Sequence, residues 1–129
     1  MTKYVYCRTR FIGFHCWPDA PKELSYLSEL HRHEFHVEVA VKVTHDNRDV
    51  EFQTLRHHVD ECINTLKTCI TVQPNFLDGT TEDEYVEDYA MSCEMMAEWI
   101  KNGITHLHGY KVHYVDVSED GENGARIVY

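Results

Sequence analysis

The sequence has 129 residues and a hydrophobic fraction of 43%, which suits one globular domain over residues 1–129 and excludes a solvated, disordered chain. Its formal net charge is −10, with a balance of +1 over residues 1–45 and −11 over residues 46–129. Because nucleic-acid binding relies on basic surfaces, we expect no nucleic-acid partner. The cations that could meet an anionic ligand lie in the first third: Arg8, Arg10, Lys22 and Arg32.

The cysteines indicate a reducing compartment. There are five of them, an odd number, and no two have the CxxC spacing. Residues 1–20 contain no apolar signal-peptide core, and no apolar run approaches the ~20 residues of a membrane helix. We therefore expect a cytoplasmic protein that does not enter a membrane.

Two strands are predicted in the first third of the chain. Residues 3–16 are rich in β-branched and aromatic residues and predict a long strand. Residues 17–30 contain two prolines and predict a loop, with a helical turn around Leu24–Leu30. Residues 34–45 predict the clearest strand, before a turn at Asp46–Asp49. The apolar face of this strand comprises Phe35, Val37, Val39, Val41 and Val43, opposite His36, Glu38 and Lys42.

Two helices follow. Residues 51–67 have a helical period, with apolar residues at Phe52, Leu55, Val59, Ile63 and Leu66. A loop is predicted over residues 68–82, and a second helix over residues 83–102. Thr80 or Thr81 would cap this second helix, and Gly103 would end it.

The chain closes with two more strands. Residues 109–118 predict the third strand, Glu122–Gly124 a hairpin turn, and residues 125–129 the last strand. The order β-β-α-α-β-β predicts an α+β fold. Its strands would pair sequentially and antiparallel, with both helices covering one face of the sheet.

Three of the ten histidines form a candidate metal site. His31 and His33 alternate along a strand, so both imidazoles can reach one ion. His15 ends the first strand, which pairs with the second. Three imidazoles around Zn²⁺ leave a fourth position open, as a catalytic metal requires. The alternative from spacing alone is a pair of surface histidines.

The same residues resemble the 6-pyruvoyl-tetrahydropterin synthase family, which includes the 6-carboxy-tetrahydropterin synthases of queuosine biosynthesis. FIGFH at residues 11–15 is similar to the family's F-x-A-x-H, and HRHEF at residues 31–35 to its H-G-H-N-Y. VEFQTL at 50–55 resembles the entry to its first helix, and SCEMMA at 92–97 its T-x-E-x-x-A. VDVSE at 115–119 resembles its late strand ending in Glu-Thr, and residues 125–129 its last strand.

The resemblance implies the tunnelling or T-fold, zinc bound by His15, His31 and His33, and a homo-hexamer built from two trimers. It also implies a small-molecule pterin ligand. Glu119 would hold the 2-amino and N3 edge of the pterin, because a carboxylate matches two donors. Glu94 would assist from the start of its helix.

The sequence departs from the family at its catalytic groups. Three or five residues separate the family's catalytic cysteine from H-G-H, and this chain has Leu27 and Ser25 at those two positions. Some relatives use a glutamate separated by four residues, where this chain has Tyr26. Ser25 is the candidate catalytic residue at this position, although a hydroxyl needs its own base. The family's Asp-His pair has no counterpart in residues 60–82, and Arg32 replaces the glycine of H-G-H. Other candidate proton acceptors are Glu23, Glu29, His36 and Cys16.

Two functions follow from this pattern. The first is a zinc-dependent lyase that acts on 7,8-dihydroneopterin triphosphate or a related pterin, with Arg8, Arg10 or Arg32 meeting phosphate. The alternative is a protein that binds a pterin, purine or nucleotide-like ligand without turning it over. A purely structural domain is a third possibility, and it requires the three histidines to be coincidental.

Overall fold

A computed structural model describes residues 1–66 and 89–129 of the chain. Its elements in chain order are β1 (Tyr4–His15), a 3₁₀ helix (Lys22–Ser28), β2 (His31–Lys42), α1 (Phe52–Thr65), α2 (Cys93–His108), β3 (Val112–Glu119) and β4 (Asn123–Val128). The strands form one antiparallel sheet in the order β1-β2-β3-β4, and α1 and α2 pack on it. This arrangement confirms the predicted α+β fold.

The alternation of β2 places the core on one side of the sheet. Phe35, Val37, Val39 and Val41 are at most 2% exposed, as the apolar positions of the sequence predict. Leu55 and Val59 of α1 and Met96 and Ile100 of α2 are fully buried in the same cluster. The helices therefore cover the face of the sheet toward which the odd-numbered residues of β2 point.

The strand bounds place the predicted metal ligands inside the sheet. β2 begins at His31 rather than at residue 34, so both of its candidate histidines are strand residues. His15 pairs with His31, and Gly13 pairs with His33. All three histidines thus lie at one end of the β1–β2 ladder.

The second helix, predicted over residues 83–102, is helical over residues 93–102 but differs from its prediction on either side of them. Residues 90–92 are not helical, and α2 continues through Gly103 to His108. A Cβ on Gly103 would lie 2.5 Å from Cys62 Sγ, so this glycine allows α1 and α2 to approach closely. Ser92 caps the helix at its start, and Gly109, with φ of 71°, ends it. The predicted loop 68–82, the caps Thr80 and Thr81, and residues 83–88 lie outside the described residues.

The β3–β4 turn also differs from its prediction. It comprises residues 120–122, and β4 already begins at Asn123. Asp120 and Gly121 both have positive φ, a conformation that Asp and Gly adopt more readily than most residues. This turn brings Asp120 next to β2, where its carboxylate accepts a hydrogen bond from the Glu34 N–H.

Candidate metal centre and cavity

His15, His31 and His33 converge at the end of the sheet. The ring centroids of His15 and His31 are 4.4 Å apart, those of His31 and His33 are 5.0 Å apart, and those of His15 and His33 are 5.3 Å apart. One nitrogen of each ring lies within 4.8 Å of one nitrogen of each of the others. This confirms that the predicted triad could hold a metal ion such as zinc.

Each of the three rings is held by a hydrogen bond at Nδ1. His15 donates to the carbonyl of Met91 at 2.8 Å, and His31 donates to the carbonyl of Glu29 at 2.9 Å. His33 donates to the Asp120 carboxylate at 2.7 Å. A carbonyl oxygen can only accept, so Nδ1 carries the proton and Nε2 keeps its lone pair in a neutral ring. Hydrogen bonds of this kind, on the ring nitrogen that does not face the metal, orient metal-binding histidines.

The electrostatics favour a neutral His15 and an ionised Asp120. Burial lowers the pKa of His15, although its bond to Met91 opposes this shift. The pKa of Asp120 is lowered first by the Glu34 N–H and then by the bond from His33. An ionised Asp120 accepts from His33 and fixes its orientation.

The Nε2 atoms of His15 and His33 face Glu119. One carboxylate oxygen lies 3.1 Å from His15 Nε2 and the other lies 3.4 Å from His33 Nε2. His15 is 7% exposed, and its Nε2 makes no hydrogen bond to a described residue. Nitrogen lone pairs and a carboxylate in such proximity repel each other unless a proton or a metal ion lies between them. Three imidazole nitrogens are a donor set that Zn²⁺ prefers, so these residues fit the metal.

A cavity of about 710 Å³ opens beside the histidine cluster, with His15 and His31 in its wall. Its walls combine apolar side chains with a few polar ones, as is usual for small-molecule sites. The described lining residues are His15, Cys16, Trp17, Pro18, Asp19, Leu27, His31, Ala90, Met91, Ser92, Cys93, Glu94, Met95, Glu119, Asn123 and Gly124.

The predicted ligand-binding residues divide into two groups. Glu119 and Glu94 both line the cavity. Arg32 is exposed and lies on the opposite face of β2 from His31 and His33, because strand residues alternate. Ser25 is exposed on the 3₁₀ helix, and its carbonyl accepts a hydrogen bond from Ser28 Oγ. The structure does not bring Arg32 or Ser25 to the cavity wall.

Of the other candidate proton acceptors, Cys16 lines the cavity and Glu23, Glu29 and His36 do not. His36 lies on the opposite face of β2, 2.9 Å from a Glu34 carboxylate oxygen. Burial raises the pKa of Cys16. Burial and then Glu119 raise the pKa of Cys93, the other cavity thiol, to about 12. Both thiols are therefore protonated at neutral pH.

Sequence reasoning missed the groups that hold the histidines. Asp120 is 87 residues from His33, and the Met91 carbonyl is 76 residues from His15. A backbone carbonyl leaves no signal in the sequence. Asp120 gives only a weak one, as an acidic residue that follows the candidate Glu119.

Comparison with known proteins agrees with this arrangement. The family model described as 6-pyruvoyl tetrahydropterin synthase matches residues 4–128. A search of curated proteins found no match. A crystal structure of an uncharacterized protein from Wolinella succinogenes is similar, with 18% identity and a TM-score of 0.60. The match covers 99% of this chain and 98% of that one, and it supports the fold alone.

None of the described helices is long and apolar enough to span a membrane.

The family match extends over nearly the whole sequence and includes every residue of the histidine cluster and Glu119. The chain belongs to the 6-pyruvoyl tetrahydropterin synthase family.

Proposed function

We propose that this protein is a zinc-dependent lyase that acts on 7,8-dihydroneopterin triphosphate or a related dihydropterin. The observation that carries the proposal is the cluster of His15, His31 and His33 next to Glu119. Two of these histidines and Glu119 lie in the wall of a cavity large enough for a bicyclic heterocycle. His15, His31 and His33 would hold the metal. When bound, zinc polarises hydroxyl and carbonyl oxygens and makes them more acidic.

The cavity walls suit a flat ring with polar edges. Trp17, Leu27 and Met95 supply apolar surface, against which a pterin ring would pack. Glu119 and Glu94 supply carboxylates, and a carboxylate can accept both hydrogen bonds of the pterin's 2-amino and N3 edge. We expect these two residues to set the orientation of the ring relative to the histidine cluster.

The proton acceptor is the group that differs most from the family. Cys16 and Cys93 are protonated thiols, and Ser25 is exposed away from the cavity. The ionisable groups that remain in the described lining, besides the histidine ligands, are Asp19, Glu94 and Glu119. Loss of a general base typically costs 10²–10⁴-fold in rate, so we expect slow turnover unless a carboxylate serves.

The protonated thiols also favour a second candidate function. A protein that holds zinc and pterin without a positioned base would bind its ligand and leave it unchanged. Proteins of this kind would retain the contacts of the ring and lose only the proton transfer. Binding and turnover must therefore be measured on the same preparation.

The deciding experiment incubates zinc-loaded protein with 7,8-dihydroneopterin and with its triphosphate. Chromatography would follow conversion of the pterin itself in both incubations and release of triphosphate and acetaldehyde from the ester, and isothermal titration would measure binding. The lyase predicts a product that His33→Ala abolishes and His57→Ala leaves unchanged. Binding without product supports the second candidate, and absence of binding to either pterin contradicts both.

The assembly is a further expectation of the proposal. β1 and β4 are the two edges of the described sheet, and each pairs with only one described strand. Unpaired edges invite pairing with another chain. We expect a homo-hexamer of two trimers, and light scattering coupled to size-exclusion chromatography would test it. A monomeric mass would contradict this assembly.

A further inference from the structure

The cavity beside the histidine cluster is lined by two groups of residues from distant parts of the sequence. The first group includes residues 15–19, and the second includes residues 90–95 and Glu119. His15 of the metal centre belongs to the first group, whereas the carboxylates of Glu94 and Glu119 belong to the second. A ligand in this cavity can therefore reach both the metal centre and the carboxylates.

Trp17 contributes the largest side chain of the first group. It lines the cavity but is 46% exposed, so much of its apolar surface is uncovered. Met95, in the second group, also lines the cavity and is 55% exposed. Large apolar side chains that remain uncovered in a concave site are typical of the surface on which a small molecule packs.

The backbone around Trp17 is held in place by hydrogen bonds. The Trp17 N–H donates to the Leu27 carbonyl at 2.7 Å, and the Trp17 carbonyl accepts the Ala20 N–H at 3.1 Å. The preceding residue, Cys16, donates its N–H to the Tyr89 carbonyl at 3.0 Å. These bonds join Trp17 to the 3₁₀ helix and to the segment before α2. The indole is thus presented from a supported position, as a binding residue requires.

Trp17 is also close to the metal centre in sequence. It follows His15 by two residues, so the two Cα atoms are at most about 7 Å apart. This separation is comparable to the length of a bicyclic ring. A pterin ring that packs on the indole would therefore keep its C6 side chain within reach of the histidine cluster.

We infer that Trp17 stacks on the face of the heterocycle and selects a flat 7,8-dihydropterin over a tetrahydropterin. The inference rests on the proposed function, because it assumes that a pterin occupies the cavity. Stacked rings attract each other best when both are flat and lie offset and parallel. The C6=N5 double bond keeps a dihydropterin ring nearly flat. A tetrahydropterin has tetrahedral carbons at both C6 and C7, so its reduced ring is puckered and loses part of this contact.

The other predicted contacts do not distinguish the two ligands. The 2-amino and N3 edge, which Glu94 and Glu119 would hold, is the same in both oxidation states. The hydroxyl groups of the C6 side chain, which would meet the metal, are also the same. A preference for the dihydropterin therefore reports on the stacking surface.

The test measures binding of 7,8-dihydroneopterin and 5,6,7,8-tetrahydroneopterin to the zinc-loaded protein by isothermal titration, without oxygen so that neither ligand is oxidised. We expect the dihydropterin to bind about three- to tenfold more tightly. Trp17→Ala should lower the affinity for the dihydropterin about 10–100-fold, because the stacking surface is lost. The same variant should also remove the preference. Trp17→Phe retains an aromatic face and should keep most of the affinity and the preference.

Trp99→Ala is the matched control, because Trp99 is the other tryptophan of the sequence and lies on α2 outside the described lining. It should leave both affinities unchanged. Zinc affinity, measured by competition with a chromogenic chelator, should be the same in all variants. Equal affinities of the unmodified protein for the two pterins, or tight dihydropterin binding by Trp17→Ala, would overturn the inference and leave the proposed function standing. Failure of both pterins to bind the unmodified protein would instead refute the proposed function, and the inference with it.

Discussion

Two groups of histidines differ in what holds their rings. His15, His31 and His33 each donate Nδ1–H to a different acceptor, and their other nitrogens converge. His58 of α1 and His108 of α2 instead stack face to face, with centroids 3.5 Å apart and planes 7° from parallel. His58 Nδ1 shares a hydrogen bond of 2.7 Å with the Tyr110 hydroxyl, a group that both donates and accepts.

The difference shows that proximity alone does not make a metal site. The stacked pair is closer than any pair in the triad, but parallel stacked rings direct their lone pairs past each other. The triad has rings at 67° to 83° to one another, so their in-plane lone pairs meet. Groups that only accept hold the Nδ1–H of each triad ring at those angles. The partner of His58 Nδ1, the Tyr110 hydroxyl, can donate or accept, so it does not determine which nitrogen of His58 keeps its lone pair.

Removal of a triad ligand should have the largest effect on zinc binding. His33→Ala should lower zinc affinity by more than about 100-fold, because a direct ligand contributes at least as much as a group that only orients a ligand. His108→Ala removes an imidazole from the stacked pair and should leave zinc affinity unchanged. Competition against a chromogenic chelator measures both. Equal losses in the two variants would show that the triad is not the site.

Removal of an anchor should have the next largest effect. Asp120→Asn leaves all three ligands but replaces the carboxylate that accepts from His33, and zinc affinity should fall about 10–100-fold. Glu122→Gln alters an exposed charge in the same turn and is the matched control. If Asp120→Asn binds zinc as tightly as the unmodified protein, the anchors do not distinguish the two groups.

The distance between the stacked rings of His58 and His108 depends on the close approach of α1 and α2. Gly103→Ala would bring a methyl group within 2.5 Å of Cys62 Sγ and should destabilise the protein by about 1–2 kcal/mol. In a Cys62→Ala background the clash is gone, and the same change should stabilise by about 1 kcal/mol through helix propensity. Urea unfolding of the unmodified protein, the two single variants and the double variant measures the change in free energy of unfolding that Gly103→Ala causes in each background. The same sign in both backgrounds would contradict this contact.

The smallest expected effect is on the pH dependence of folding stability. Burial and then His108 lower the pKa of His58 below its ordinary value of 6.5, so the folded state resists its protonation. The stability that neutral His58 contributes is complete above pH 6.5 and is lost as the pH falls below that value. His58→Gln should therefore show a smaller drop in urea midpoint between pH ~7.5 and ~5.5 than the unmodified protein. An equal drop would refute this assignment.

The sequence predicted the parts of the molecule that follow from local periodicity. Alternation in β2 predicted both its buried valines and the shared face of His31 and His33. Pairing of β1 with β2 predicted that His15 would join them. The family resemblance identified Glu119, which the structure brings within 3.1 Å of His15 Nε2.

The features that sequence reasoning missed depend on contacts between distant segments. Gly103 suggested a helix end, although its lack of a side chain instead leaves room for Cys62 Sγ of the neighbouring helix. Asp120 reaches His33 only because the turn after β3 has positive φ at two residues. The candidates Ser25 and Arg32 followed from alignment with a motif, and no local pattern indicated that both would be exposed away from the cavity.

The most direct test of the metal centre is zinc X-ray absorption of the loaded protein. Three imidazole nitrogens at about 2.0–2.1 Å, together with oxygen and no sulfur, are expected if His15, His31 and His33 hold the ion beside Glu119. Cys16 and Cys93 line the same cavity, so the alternative is specific. A sulfur neighbour at about 2.3 Å, or fewer than three imidazoles, would show that these three histidines do not hold the zinc.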